Sequence, residues 1–250
     1  MQQTNNIRLF VNQSLFVGVE LVLDKQQSHY LSNVMRKITG DVVCCFNEKD
    51  GEFLASIELA DKNKTRLRLV ELLNLPKKNE DLWLLFAPLK KDKTDFVIEK
   101  AVELGVSKIV PVITSRCIAN PKQIKTERYV AQAIEAAEQC RRLSVPEISS
   151  PITLPSLLTK WNYERILYFM DEHRMGNDAA TVFAKSPHAA CAILIGPEGG
   201  FSDEENRLLS GYSFVRNVSL GPRILRAETA VAAALSVWQA VAGDWQIEKD

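Results

Sequence analysis

Short apolar runs alternating with helical stretches constrain this chain more than any other feature. Past residue 80 the runs are LWLLFAPL, KIVPVI, RILYFM, CAILIG and FVRNVSLG, each followed by a helix-like stretch. They lack the polar alternation of a half-exposed strand, which is the pattern of strands covered on both faces in a parallel sheet. Helical spacing fills the intervals. From Lys93 to Leu104, Val97, Ala101 and Leu104 share one face, and Gly105 suits a C-cap. From about Glu127 to Arg142, Val130, Ile134 and Ala137 recur at the same spacing. The last stretch, Glu228–Val241, is nearly all Ala and Val with Leu235 and Trp238. Such a helix is covered on most sides or packs against another subunit.

The first seventy-odd residues read differently. RLFVNQ, LFVGVEL, DVVCCFN, GEFLASIEL and TRLRLVEL are rich in β-branched and aromatic residues, with turn signals at Gly40-Asp41 and across Asn47–Gly51. A short helix fits Ser28–Lys37. Several short strands in so few residues suit a small barrel. LNLPKKNED then turns polar, so the boundary falls near Pro76. A β-rich domain over 1–75 and an α/β domain over 76–250 are expected.

With 31 basic and 31 acidic residues the chain is neutral, which argues against coating a nucleic acid by bulk charge. A local patch remains open: Lys62, Lys64, Arg66 and Arg68 form a cluster free of acids. No apolar run approaches the roughly 20 residues that span a bilayer, and MQQTNNIRLF lacks the regions of an export signal. A cytoplasmic protein with no membrane partner is expected. Cys44, Cys45, Cys117, Cys140 and Cys191 are odd in number and show no C-x-x-C spacing, while His29, His173 and His188 are scattered. Reduced thiols and no metal site are the reading.

Two stretches carry chemistry. In ILIGPEGGFSDEE a buried strand runs into Gly196-Pro197-Glu198-Gly199-Gly200, and Ser202 and Glu205 have the spacing of a capping box. Ligands of α/β sheets bind beyond the carboxyl ends of strands, where this loop falls, although a plain tight turn would read the same. GxGxxG and GxxxxGK[ST] are both absent, which disfavours dinucleotides and nucleoside triphosphates. In VSLGPRILRAETAV a second strand ends in Gly-Pro before Arg223, Arg226 and Glu228. Two such loops would face one crevice. A structural Arg–Glu pair at the start of a helix is the alternative.

Together, GPEGG before a helix and LGPRILRAETA before the last helix resemble the RsmE family of ribosomal RNA methyltransferases, within the SPOUT or trefoil-knot superfamily. Arg8-Leu9-Phe10, His29 with Val34-Met35-Arg36, Gly40-Asp41, DFVIEKAVELGVSKIVPVITSRC and EAAEQCRRLSVPEI extend the resemblance along the chain. Met35 stands where leucine is commoner in the family, and Ala227 where threonine is frequent. The resemblance implies an N-terminal PUA-like β-barrel that grips RNA and a C-terminal α/β domain, mainly parallel, with a deep trefoil knot. It implies a homodimer and S-adenosylmethionine-dependent methylation of uridine N3 in the decoding region of 16S ribosomal RNA, within the small subunit. Under it the cofactor loops are Met170–Arg174, Ile195–Gly200 and Leu220–Arg226. The cofactor residues are then Met170, Ile195, Gly196, Pro197, Glu198, Gly199, Gly200, Leu220, Gly221, Arg223, Ile224, Leu225 and Arg226. Arg226 is expected to stabilise charge developing on the base, with Glu228 orienting it or accepting the proton. Arg8, Arg36, Lys37, Lys64, Arg66 and Arg68 are the candidates for RNA phosphates. An assembly factor that binds RNA without turnover, or a related methyltransferase with another RNA target, would share most of these features.

Overall fold

The computed structural model describes residues 6–118, 124–171 and 176–246. The chain divides into two compact units. One holds the chain up to Lys78 together with Ile134–Val145; the other holds Asn79–Ala133 and the chain from Pro146 onward.

In the first unit, β1 (Arg8–Phe10), β2 (Glu20–Val22), β3 (Val42–Asn47), β4 (Gly51–Leu59) and β5 (Arg66–Asn74) form one sheet in the order β1-β3-β4-β5-β2. β1 runs parallel to β3 and the other pairings are antiparallel. The sheet ends at β1 and β2, the half-barrel form of the expected PUA-like unit. Alternation sets its faces: Leu67 and Leu69 of β5 are wholly buried with Val43, Cys45, Ala55 and Ile57, while Arg66 and Arg68 point outward. Truncating one of these leucines to alanine costs about 2–5 kcal/mol. The expected strand at Leu15–Leu21 shrinks to Glu20–Val22. Gly18 takes φ +91° and Phe16 and Val17 face solvent, because that segment turns before it pairs. The short helix is α1 (Lys25–His29), capped by Asp24 and continued by a π-turn through Val34.

The second unit contains β6 (Leu82–Phe86), α2 (Lys91–Glu103), β7 (Lys108–Ile113) and the start of α3 (Thr126–Cys140). After Pro146 come β8 (Glu147–Ile148), β9 (Ile152–Thr153), α4 (Leu154–Thr159), β10 (Ile166–Met170) and β11 (Asn177–Asp178). The chain continues through α5 (Ala179–Phe183), β12 (Cys191–Ile195), α6 (Asp203–Ser210), β13 (Val215–Ser219) and α7 (Ala227–Ala242). The sheet runs β11-β13-β10-β12-β6-β7-β8, with β9 also on β7, and every pairing is parallel. The apolar runs read as doubly covered strands are its middle: Leu84, Leu85, Leu167, Ile193 and Leu194 are all inaccessible to solvent. β12 inserts between β6 and the earlier strand β10, and β13 lies on the far side of β10. The loops after β10, β12 and β13 therefore leave neighbouring strands at one end of the sheet, where the connection order reverses.

The buried helix faces depart in part from the apolar spacing. In α2 the buried side is Thr94, Val97, Ile98, Ala101 and Val102, while Leu104 lies past its end and Gly105 turns out at φ +80°. In α3 the buried residues are Tyr129, Ala133, Ala136 and Ala137; Val130 is exposed and Ile134 half-buried. Ala137 is buried as its spacing predicts, whereas the face turns toward Tyr129 and Ala133 in place of Val130 and Ile134. In α7, Val231, Ala234, Leu235, Trp238 and Ala242 are buried, and Ala232, Ala233, Ser236 and Val237 are half-exposed.

Candidate functional site

Each side of the Gly-Pro loop after β12 is pinned by local chemistry. Ser202 caps α6, and its side chain accepts from the Glu205 amide while Glu205 accepts from the Ser202 amide, completing the expected box. Glu205 is itself buried, and its other oxygen accepts from Ser115 N at 2.8 Å. Arg116 donates to the Gly199 carbonyl at 2.9 Å, so the segment after β7 braces the loop from outside. Within the loop, Gly200 N closes a turn on Pro197 O at 2.9 Å, with Gly200 at φ +67°. Gly196 is glycine for a different reason: a Cβ there would collide with the buried Phe201 ring.

This loop and the Leu220–Arg226 loop line one cleft of about 560 Å³ at the carboxyl ends of β10, β12 and β13. That volume lies within the roughly 300–1,000 Å³ of small-molecule sites. All the expected cofactor residues except Gly199 line it, Met170 among them. Gly199 stands beside the cleft with Arg116 against it. The Met170–Arg174 loop lies, beyond Asp171, outside the described residues. Asp171, inside the expected Met170–Arg174 loop, lines the cleft too, as do Lys90, Lys93 and Phe201, which sequence reasoning did not assign to it.

The charges divide by sign. Lys90, Lys93, Arg223 and Arg226 supply positive charge, and Asp171 and Glu198 negative. Lys93, in the first turn of α2, makes an ion pair with Glu198 and stands 3.5 Å from Glu228 Oε1. The hydrogen bond from Lys93 holds the Glu198 carboxyl below the usual range, and the same bond raises the Lys93 ammonium. Glu228 sits in the first turn of α7 and is mostly buried; its Oε2 has no hydrogen-bond partner among the described residues, and Glu228 does not line the cleft. Arg226, the N-cap residue of α7, is exposed, and its guanidinium makes no hydrogen bond or ion pair among the described residues. The expected Arg226–Glu228 contact is thus not formed. Glu228 turns to Lys93, because its place in the helix aims it at the start of α2, which packs on α7.

Such a cleft matches a zwitterionic ligand. Carboxylates can face a sulfonium or ammonium, cations can face a carboxylate, and the glycine loops offer backbone groups at close range.

In the first unit the basic candidates separate by burial. Arg8 is buried: its Nε meets Glu52 at 2.5 Å, and its remaining donors reach the carbonyls of Ala137, Glu138 and Arg142 at the end of α3. It caps that helix and has nothing left for a phosphate. Arg66 and Arg68 are half-exposed and share Glu20, and Arg68 also pairs with Glu58. Lys37 is 4.0 Å from Asp41. Arg36 (φ +52°) and Lys64 are exposed, with no side-chain partner among the described residues. None of the five cysteines is in a disulfide; burial pushes the Cys191 thiol up to about 12 and raises the Cys45 thiol as well, which keeps both protonated.

Residues 76–239 match the RNA methyltransferase domain, and residues 23–70 match the RNA methyltransferase PUA domain. The chain is 36% identical to the ribosomal RNA small subunit methyltransferase E of Rickettsia conorii over 92% of its length and 93% of that protein. Its namesake in Buchnera aphidicola is 31% identical, with coverage of 95% and 97%. Among solved structures, a Neisseria gonorrhoeae ribosomal RNA small subunit methyltransferase E bound to S-adenosyl methionine superposes with a TM-score of 0.87 at 27% identity, covering 96% of this chain and 100% of that one. A Legionella pneumophila protein in complex with bound SAM gives 0.84 at 33% identity, with coverage of 96% and 99%.

Proposed function

The chain belongs to the RNA methyltransferase family that includes the ribosomal RNA small subunit methyltransferases E, and from that premise we propose that it methylates N3 of a uridine in the decoding region of 16S ribosomal RNA. The observation that carries this is the cleft of mixed charge where two Gly-Pro loops meet at the carboxyl ends of β12 and β13. S-adenosylmethionine, when bound there, supplies a methyl group on a sulfonium that leaves as a neutral thioether.

The chain's own part is binding, orientation and charge. Backbone groups of the two glycine loops take the adenosine and methionine portions, and Asp171 suits the positive atoms, since Glu198 is paired with Lys93. Arg226, exposed at the cleft and unpaired among the described residues, takes the negative charge that builds on uracil O2 or O4 as N3 gives its proton to solvent water. Glu228 anchors Lys93 and is not given the proton, since its spare oxygen is shut away from solvent and Glu228 does not line the cleft. On the first unit, Arg36, Lys37, Lys64, Arg66 and Arg68 form the phosphate-facing set, without Arg8.

A homodimer belongs to the same reading, supported by the half-exposed small residues Ala232, Ala233 and Ser236 along α7. So do a deep trefoil knot formed by the loops after β10, β12 and β13, and a cytoplasmic location beside the small subunit. Among the described residues no helix is long and apolar enough to cross a membrane.

The test uses small subunits from cells that lack the modification, incubated with the protein and methyl-labelled S-adenosylmethionine, followed by nucleoside mass spectrometry. Label in N3-methyluridine is expected. Label in another nucleoside would keep methyl transfer and discard this target, and no label would favour an RNA-binding factor without turnover.

A further inference from the structure

Among the described residues Lys93 is the cation that Glu198, in the cleft, and Glu228, beside it, share. Its ammonium pairs with Glu198 on the loop after β12 and lies 3.5 Å from Glu228 Oε1 in the first turn of α7. Three segments distant in sequence therefore converge on a single nitrogen; Lys93 and Glu198 alone are 105 positions apart. The next cations whose charge reaches Glu198 are Lys90 and Arg226. Both are exposed, and neither is paired among the described residues. A half-exposed carboxylate that lost Lys93 would draw one of them in, since opposite charges at the mouth of a cleft attract across several ångströms.

We propose that Lys93 is a positioning residue for methyl transfer: by occupying Glu198 and Glu228 it keeps Arg226 unpaired and free to meet the base. This rests on the reading of Arg226 as the group that meets developing charge. Lys93 itself need not touch substrate. Its effect runs through which carboxylate Arg226 is denied, and so it has a signature that a merely structural lysine would not show: removal of the competing carboxylate should undo the damage.

The experiment compares wild type, Lys93→Met, Lys93→Arg and the double variant Lys93→Met/Glu198→Gln in single-turnover transfer to small subunits, with cofactor affinity measured by calorimetry. Lys93→Met should slow transfer about 10- to 100-fold, less than the roughly 10²- to 10³-fold of removing the donor itself, because Lys93 acts through Arg226. Its S-adenosylmethionine Kd should stay within about three-fold of wild type, which separates a kcat effect from a binding effect. Lys93→Arg should keep most of the rate, and the double variant should regain about ten-fold over Lys93→Met, the mark of two coupled groups. A crystal structure of cofactor-free Lys93→Met should bring the Arg226 guanidinium onto Glu198. An unchanged rate in Lys93→Met, a double variant no faster than the single, or Arg226 still apart from Glu198 in that crystal overturns the proposal. Lys93→Arg with full thermal stability and no activity would overturn it too. Wild-type protein that transfers no methyl group would instead remove the reading of Arg226 beneath it.

Discussion

At the amino ends of the parallel sheet Arg165 is 7% exposed, while beyond the carboxyl ends Arg226 stands in solvent. Arg165 donates to the carbonyls of Asp81 and Cys191 at 3.0 and 3.1 Å, pairs with Asp81 Oδ2 at 2.5 Å, and lies 3.8 Å over the Trp83 ring. It ties the starts of β6, β10 and β12 together. The Arg226 guanidinium has no partner among the described residues. One end of the sheet uses its arginine for cohesion; the other leaves its arginine unspent, with Lys93 absorbing the carboxylates that would otherwise take it. The first unit repeats the first pattern in Arg8, whose donors all go to Glu52 and to the end of α3. A buried guanidinium bonded to carbonyls and a carboxylate marks architecture, and an exposed one at a strand-end cleft, unpaired among the described residues, marks a place where charge will appear.

The largest effect should come from breaking the cohesive end. Arg165→Met removes the guanidinium from over Trp83 and strands two carbonyls, and should cost about 2–3 kcal/mol by denaturant or thermal unfolding. That is below the roughly 3–5 kcal/mol of a pair buried on both sides, because Asp81 is half exposed. Transfer rate per folded molecule should be unchanged; a rate loss beyond the stability loss would blur the division between the two ends. A smaller effect sharpens the same contrast on the first unit. Lys64→Ala should lower the log–log salt slope of RNA binding by about 0.7–0.9 with little effect on stability. Arg8→Met should do the reverse, lowering stability and leaving the slope alone. Equal slopes for wild type and Lys64→Ala would remove Lys64 from the phosphate-facing set.

Much of this was legible in the sequence for a physical reason. Strands covered on both faces must be apolar throughout, so LWLLF, ILYFM and CAILI declared themselves, and the two Gly-Pro loops followed from where those runs stop. The capping box at Ser202 was legible because both partners lie within one turn. What the sequence hid is set by tertiary neighbours. Nothing near Lys93 signals that Glu198 and Glu228 will meet it, and Arg116 reads as a loop residue until its bond to Gly199 is seen. Arg8 looks like any basic residue on a strand; only the end of α3, more than a hundred residues later, shows why it is buried. The two-residue strands β8, β9 and β11 are too short to carry a period of their own.

Whether chemistry resides at the carboxyl end of the sheet is tested most directly by single-turnover methyl transfer to small subunits with Arg226→Ala, alongside its cofactor Kd and melting temperature. The rate should fall about 10²- to 10³-fold, as when one preorganised donor to developing charge is lost, with affinity and melting temperature close to wild type. Full turnover by Arg226→Ala would contradict the account and return that arginine to the surface.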